Sequence, residues 1–124
     1  MRFLMIFSPD ASATKRNEAG VPPSQEEFAE MGKLIGEMAK KGVLLSTEGC
    51  LPSSHGARVR RAGTSVSVTD GPFSEAKEVV GGFAIIKADS KAEAIAWAKR
   101  FLEVAGNGES MILQLHEKAA FGPA

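Results

Sequence analysis

Two stretches of this chain are apolar on both alternating sets of side chains, and a strand of that kind must be shielded from water on two faces. Residues Arg2 to Phe7 place Phe3, Met5 and Phe7 on one parity and Leu4 and Ile6 on the other. Val79 to Lys87 sets Phe83 and Ile85 against Ala84 and Ile86, interrupted only by Gly81-Gly82. A further strand, Ser110 to Glu117, points Met111, Leu113 and Leu115 one way and Ile112, Gln114 and His116 the other. The supply of cover is smaller than this demand. Ser24 with Glu27 has the form of a capping box, and Phe28, Met31, Leu34, Ile35 and Met38 recur at helical spacing, which predicts a helix from about Gln25 to Lys41 closed by Gly42. Ser90 with Glu93 repeats the box ahead of a wide apolar stripe running from Ala94 to Ala105. Two such helices cover one face of a four-stranded sheet. Each apolar side chain left in water on the other face forgoes roughly 1.5–3 kcal/mol of burial. A second copy of the chain is the economical cover, so a two-fold homodimer packed sheet to sheet is expected. The alternative is a monomer in which other segments of the chain fold over that face.

Those other segments are a hairpin and a polar stretch. Ala57 to Arg61 and Thr64 to Thr69 flank Ala62-Gly63, read as a two-residue turn. Ala11 to Pro23 is polar and proline-containing and reads as a long surface loop. With a second strand starting at Val43, the order is β-α-β, hairpin, β-α-β, the split pair of a ferredoxin-like α+β fold in one domain spanning 1–124.

Composition narrows the partners. Fifteen basic and fifteen acidic residues give no net charge, so no overall field draws the chain to nucleic acid or to an anionic membrane. The apolar run at the N-terminus is too short for a secretory or membrane-spanning segment. A lone Cys50 and two histidines offer neither an internal disulfide nor metal-ligand spacing, which suits the cytoplasm and suggests no metal or cofactor.

The densest local pattern is Asp70-Gly71-Pro72-Phe73-Ser74-Glu75-Ala76-Lys77-Glu78, followed by Gly81-Gly82-Phe83. Gly71 and Pro72 force a turn or extended backbone, Asp70 can accept from nearby amides, and Phe73 can anchor the turn. On these residues alone it is a rigid connector or a site. The run resembles the DGPF-domain branch of the YCII-related family, and the resemblance extends to the Phe3–Phe7 start, to Glu48-Gly49 with Pro52, to Val59-Arg60 and to Ala94-Ile95-Ala96-Trp97-Ala98. It implies a ferredoxin-like fold that dimerises into an α/β barrel with a cleft near the turn. It also implies company with sigma factors for some relatives, and dehydrochlorination or lactone-type chemistry for a few distant ones. Enzymatic relatives pair a histidine near the start of the first helix with the aspartate of the turn. That helix opens here as Gln25-Glu26-Glu27-Phe28, so the dyad does not carry over.

The remaining candidates follow from register. If Ala62-Gly63 is the turn, His55 falls opposite Asp70, and a carboxylate beside an imidazole is the arrangement of a general base; otherwise His55 is a solvated loop residue. Asp70 is expected to act as acid/base or orienting group in a cleft shaped by Gly71 and Pro72 and walled by Phe73 and Phe83. Glu75 and Lys77 either orient a polar ligand at its mouth or are solvated. Two functions fit: a dimeric small-molecule-binding protein of hydrolase or lyase type, or a non-catalytic binding or regulatory module linked to transcription regulation.

Overall fold

In the computed structural model, which describes residues 1–75 and 79–117, the two stretches that are apolar on both parities pair with each other. Strand β1 (Arg2–Pro9) runs antiparallel to β5 (Gly82–Lys87), with Phe3 opposite Ile86 and Met5 opposite Ala84. Strand β2 (Leu44–Gly49) flanks β5 and strand β6 (Gly108–Gln114) flanks β1, giving a four-stranded sheet in the order β2-β5-β1-β6 with every pair antiparallel. Strands β3 (Ala57–Ala62) and β4 (Ser65–Asp70) form a separate two-stranded ribbon. The chain is thus a mixed α+β protein built on antiparallel sheets.

Helices α2 (Gln25–Lys40) and α3 (Lys91–Ala105) cover one face of the large sheet, as expected. Their Leu34, Met38, Ala94 and Ala98 join Phe3, Met5, Ala84 and Ile86 in a single buried core. Both capping serines work as read: Ser24 Oγ accepts from the Glu27 amide at 3.1 Å and Ser90 Oγ from the Glu93 amide at 3.1 Å. The helices are clasped together at Glu37, whose carboxylate pairs with the two terminal nitrogens, Nη1 and Nη2, of the Arg100 guanidinium and with Lys41 at 3.6 Å. Arg100 and Lys41 both lie over the Trp97 ring, at 5.2 and 5.6 Å from its centre. Arg100, chiefly through its hydrogen bonds, holds the Glu37 carboxyl below the usual carboxylate range, and Glu37 in turn raises Arg100.

Several expectations change. The Ala11–Pro23 segment is not a loop throughout, because it contains helix α1 (Ala11–Glu18). Asp10 caps that helix by accepting from the Ala13 amide at 2.8 Å, and the buried Thr14 hydroxyl donates to the Pro9 carbonyl at 3.1 Å. The hairpin turn is Gly63-Thr64 instead of Ala62-Gly63, since Ala62 pairs with Ser65. A turn of this size needs positive φ at its first central position, and Gly63 supplies it at +62° where Ala62 would be strained. Strand β2 continues past Ser46 to Gly49 with an irregularity at Leu45, and β5 begins at Gly82, not at Val79; glycine is required at 82 because a Cβ there would stand 2.7 Å from the Glu48 carbonyl oxygen.

The second face of the sheet carries two apolar rows, Ile85-Leu4-Leu113 and Phe83-Ile6-Met111, aligned by strand register. Met111 and Leu113 remain 48% and 47% exposed, so neither α1 nor the ribbon covers this face within one chain. The ribbon has its own apolar side: Val59, Val66 and Val68 share a face by register and are all more than half exposed.

Candidate functional site

The Asp-Gly-Pro-Phe turn is held by contacts from two distant segments. The Gly71 amide donates to the Gly56 carbonyl at 3.0 Å, closing the base of the ribbon. A Cβ at Gly71 would stand 1.7 Å from the Ser53 carbonyl oxygen, so only glycine fits. Ser53 sits at the start of a 3-10 turn (Ser53–His55). Its hydroxyl accepts from the Phe73 amide at 2.9 Å and donates to the Glu18 carboxylate, which also takes the Ser53 amide at 2.6 Å. One serine therefore joins the end of α1, the 3-10 turn and the Asp70–Phe73 turn. Phe73 packs under the Arg58 guanidinium, 4.5 Å from its ring centre. Beside these groups lies an open hollow of about 440 Å³ lined by Cys50, Leu51, Ser53, His55, Phe73 and Val80 among others.

The residues singled out from sequence do not meet in one cleft. His55 and Phe73 share that hollow, whereas Asp70 is exposed at the end of β4 and lines neither it nor the inner recess described below. The residue opposite Asp70 is Ala57, not His55, because the turn sits one residue later than expected and the pairing shifts by two. Gly71 and Pro72 shape the turn, Glu75 is exposed, and Lys77 lies outside the described residues. Phe83 belongs to the sheet, opposite Ile6 and Glu48, and borders the inner recess instead of the hollow. His116 is exposed, and its carbonyl accepts from Arg2 at 2.7 Å.

The inner recess lies between the sheet and helices α2 and α3, with a volume of about 180 Å³. Met5 and Phe7 from β1, Met31 and Ile35 from α2, Ala84 from β5 and Phe101 from α3 supply its apolar walls. The Phe7 and Phe101 rings meet edge to face at 5.2 Å. Its polar wall is Thr47, whose hydroxyl donates to the Phe83 carbonyl at 3.0 Å, and Ser110, whose buried hydroxyl has no hydrogen-bond partner among the described residues. Glu48 and Gly49 form an exposed rim, and strand alternation puts the Glu48 side chain with Phe83 on the far face of the sheet. Sequence reading placed Met5, Met31, Ile35 and Phe101 in the core and did not foresee a space among them. The signal was present in Gly49, Gly81 and Gly82, which withhold side-chain volume from one end of the sheet beneath the helices.

Among the described residues, no group of acidic, histidine and cysteine side chains could hold a metal ion, and no helix is long and apolar enough to cross a membrane.

A solved structure of similar fold is 5-chloro-2-hydroxyhydroquinone dehydrochlorinase from Burkholderia phenoliruptrix AC1100 in complex with 2,5-dihydroxybenzoquinone. The two chains align over 94% of each with a TM-score of 0.54 and 13% sequence identity, a likeness of fold. No curated protein matches the sequence. Residues 1–112 match the YCII-related domain, a span that takes in the central sheet up to Ile112 of β6, both covering helices, the ribbon and the Asp-Gly-Pro-Phe turn, and the chain belongs to that family.

Proposed function

We propose that this protein is a homodimeric small-molecule-binding protein whose ligand occupies the recess between the sheet and helices α2 and α3. The observation that carries the reading is the recess itself: about 180 Å³ of space walled by Met5, Phe7, Met31, Ile35, Ala84 and Phe101. An apolar cavity of roughly 150 Å³ accepts a benzene ring, so this one suits a single ring with small substituents. The dehydrochlorinase of similar fold holds a single-ring quinone, which supports the same size class here. The sheet order β2-β5-β1-β6 supports a ferredoxin-like reading, and the two exposed apolar rows support a barrel-like dimer closed over that face. Membership of the DGPF branch rests on Asp70 to Phe73, and a cytoplasmic setting on the free, exposed Cys50.

Toluene and phenol titrated into the protein, followed by NMR shifts of methyl groups lining the recess, test the proposal. Both probes are expected to bind, and Ala84→Leu, which fills the space, is expected to weaken each by at least about tenfold while leaving Tm equal or higher. Absence of binding, or binding indifferent to Ala84→Leu, refutes the proposal.

A second reading places hydrolase or lyase chemistry at the neighbouring hollow, with His55 or Asp70 as acid/base and Gly71, Pro72, Phe73, Glu75 and Lys77 around the ligand. It is favoured by His55 and Phe73 sharing that hollow, and weakened by the exposure of Asp70. The alternative is a non-catalytic binding or regulatory module. Analysis of each bound ligand for chemical change separates the two.

A further inference from the structure

We infer that Ser110 is the polar anchor of the inner recess and that the recess selects uncharged single-ring compounds bearing a hydroxyl or carbonyl group. The inference rests on the recess being a ligand site and adds what that ligand must look like.

Ser110 is opposite Phe7 in the β1–β6 pairing and lies on the helix-facing parity of β6 with Ile112. Its hydroxyl is buried and unpartnered among the described residues, which is uncommon in a folded protein because burying such a group without a partner is costly. The other hydroxyl of the wall, on Thr47, spends its proton on the Phe83 carbonyl at 3.0 Å. Ser110 is therefore the group able both to donate to and to accept from a molecule in the recess. A ligand that supplies one hydroxyl or carbonyl satisfies it, and the rest of that ligand meets methionine, phenylalanine, isoleucine and alanine side chains.

Charge is excluded by the same wall. Glu48 alone among the lining residues is ionisable, and alternation turns its side chain to the opposite face of the sheet. No lysine, arginine or histidine lines the recess to balance an anion. An anionic ligand would lose its hydration with nothing offered in return, and the site would favour the neutral compound.

The test uses the whole chain with toluene, phenol and benzoate as probes at neutral pH, comparing wild type with Ser110→Ala. Phenol is expected to bind more tightly than toluene to the wild type. Ser110→Ala should weaken phenol roughly 3- to 10-fold and leave toluene unchanged, because one neutral hydrogen bond is lost and no apolar contact. Benzoate should bind at least about tenfold more weakly than phenol. Without ligand, Ser110→Ala should be as stable as wild type or more so, since it removes an unsatisfied buried hydroxyl; this also establishes that the variant folds. An unchanged ratio of phenol to toluene affinity in Ser110→Ala, or benzoate binding equal to phenol, overturns this inference and leaves the recess standing as a ligand site. Failure of all three probes to bind overturns both.

Discussion

At Gly71 the consequence of adding one methyl group is set by a single carbonyl. A Cβ would stand 1.7 Å from the Ser53 oxygen and 2.5 Å from its carbon, so Gly71→Ala must displace either the 3-10 turn or the Asp70–Phe73 turn. The expected loss is about 3 kcal/mol, in the upper range of point substitutions. Gly49→Ala is the control, since the nearest atom to its added Cβ is 4.0 Å away, and it should cost under about 1 kcal/mol. Urea midpoints at matched slope measure both. The turn itself was legible because Gly71-Pro72 restricts its own backbone. The reason that it must be glycine was not, because the atom it avoids belongs to Ser53 in another segment. The pairing of His55 was misread for a similarly small cause. Whether Gly63 takes the first or the second place in the turn decides which residue meets Asp70, and the need for positive φ at the first place settles it.

Among the elements, α2 and α3 were legible from apolar spacing and capping serines, and both caps form. Helix α1 was not, because its residues carry no apolar period; its start depends on the Asp10 cap and on Thr14 bonding back to Pro9. The clasp between α2 and α3 was likewise invisible, as Glu37 and Arg100 are far apart in sequence and meet only once both helices lie on the sheet. Its pH behaviour has a definite sign. Hydrogen bonds from Arg100 are the largest influence and lower the Glu37 pKa; burial opposes them with the next largest effect, and the charges of Arg100 and Lys41 lower it further. A carboxylate with a lowered folded-state pKa contributes stability that is fully present above its ordinary value and is lost as pH falls through the lowered one. Glu37→Gln is therefore expected to reduce stability at pH 7 modestly, because the pair is partly solvated, and the gap from wild type should close as pH falls below the ordinary carboxylate range. Urea denaturation across that range checks it, and added salt should shrink the gap at neutral pH.

For the molecule as a whole, the mismatch between apolar strand surface and available helices was legible in the sequence, and one chain indeed leaves the rows through Leu4 and Ile6 without a full cover. The recess was not legible, since apolar spacing marks which residues turn inward and not how closely they fill the interior. Leu113→Glu places a charge in the proposed interface twice by symmetry, and should raise the dimer dissociation constant by at least about 100-fold. Sedimentation equilibrium measures this; a wild-type particle of 13.1 kDa at micromolar concentration would refute the dimer. The ribbon, finally, leaves the body of the protein at Gly56 and returns at Gly71, two points already joined by a 3.0 Å hydrogen bond. Its length is thus decoupled from the geometry of everything else. An arm attached in this way can be trimmed, extended or exchanged for another sequence over evolutionary time, giving the architecture a place to acquire new contacts while its centre stays fixed.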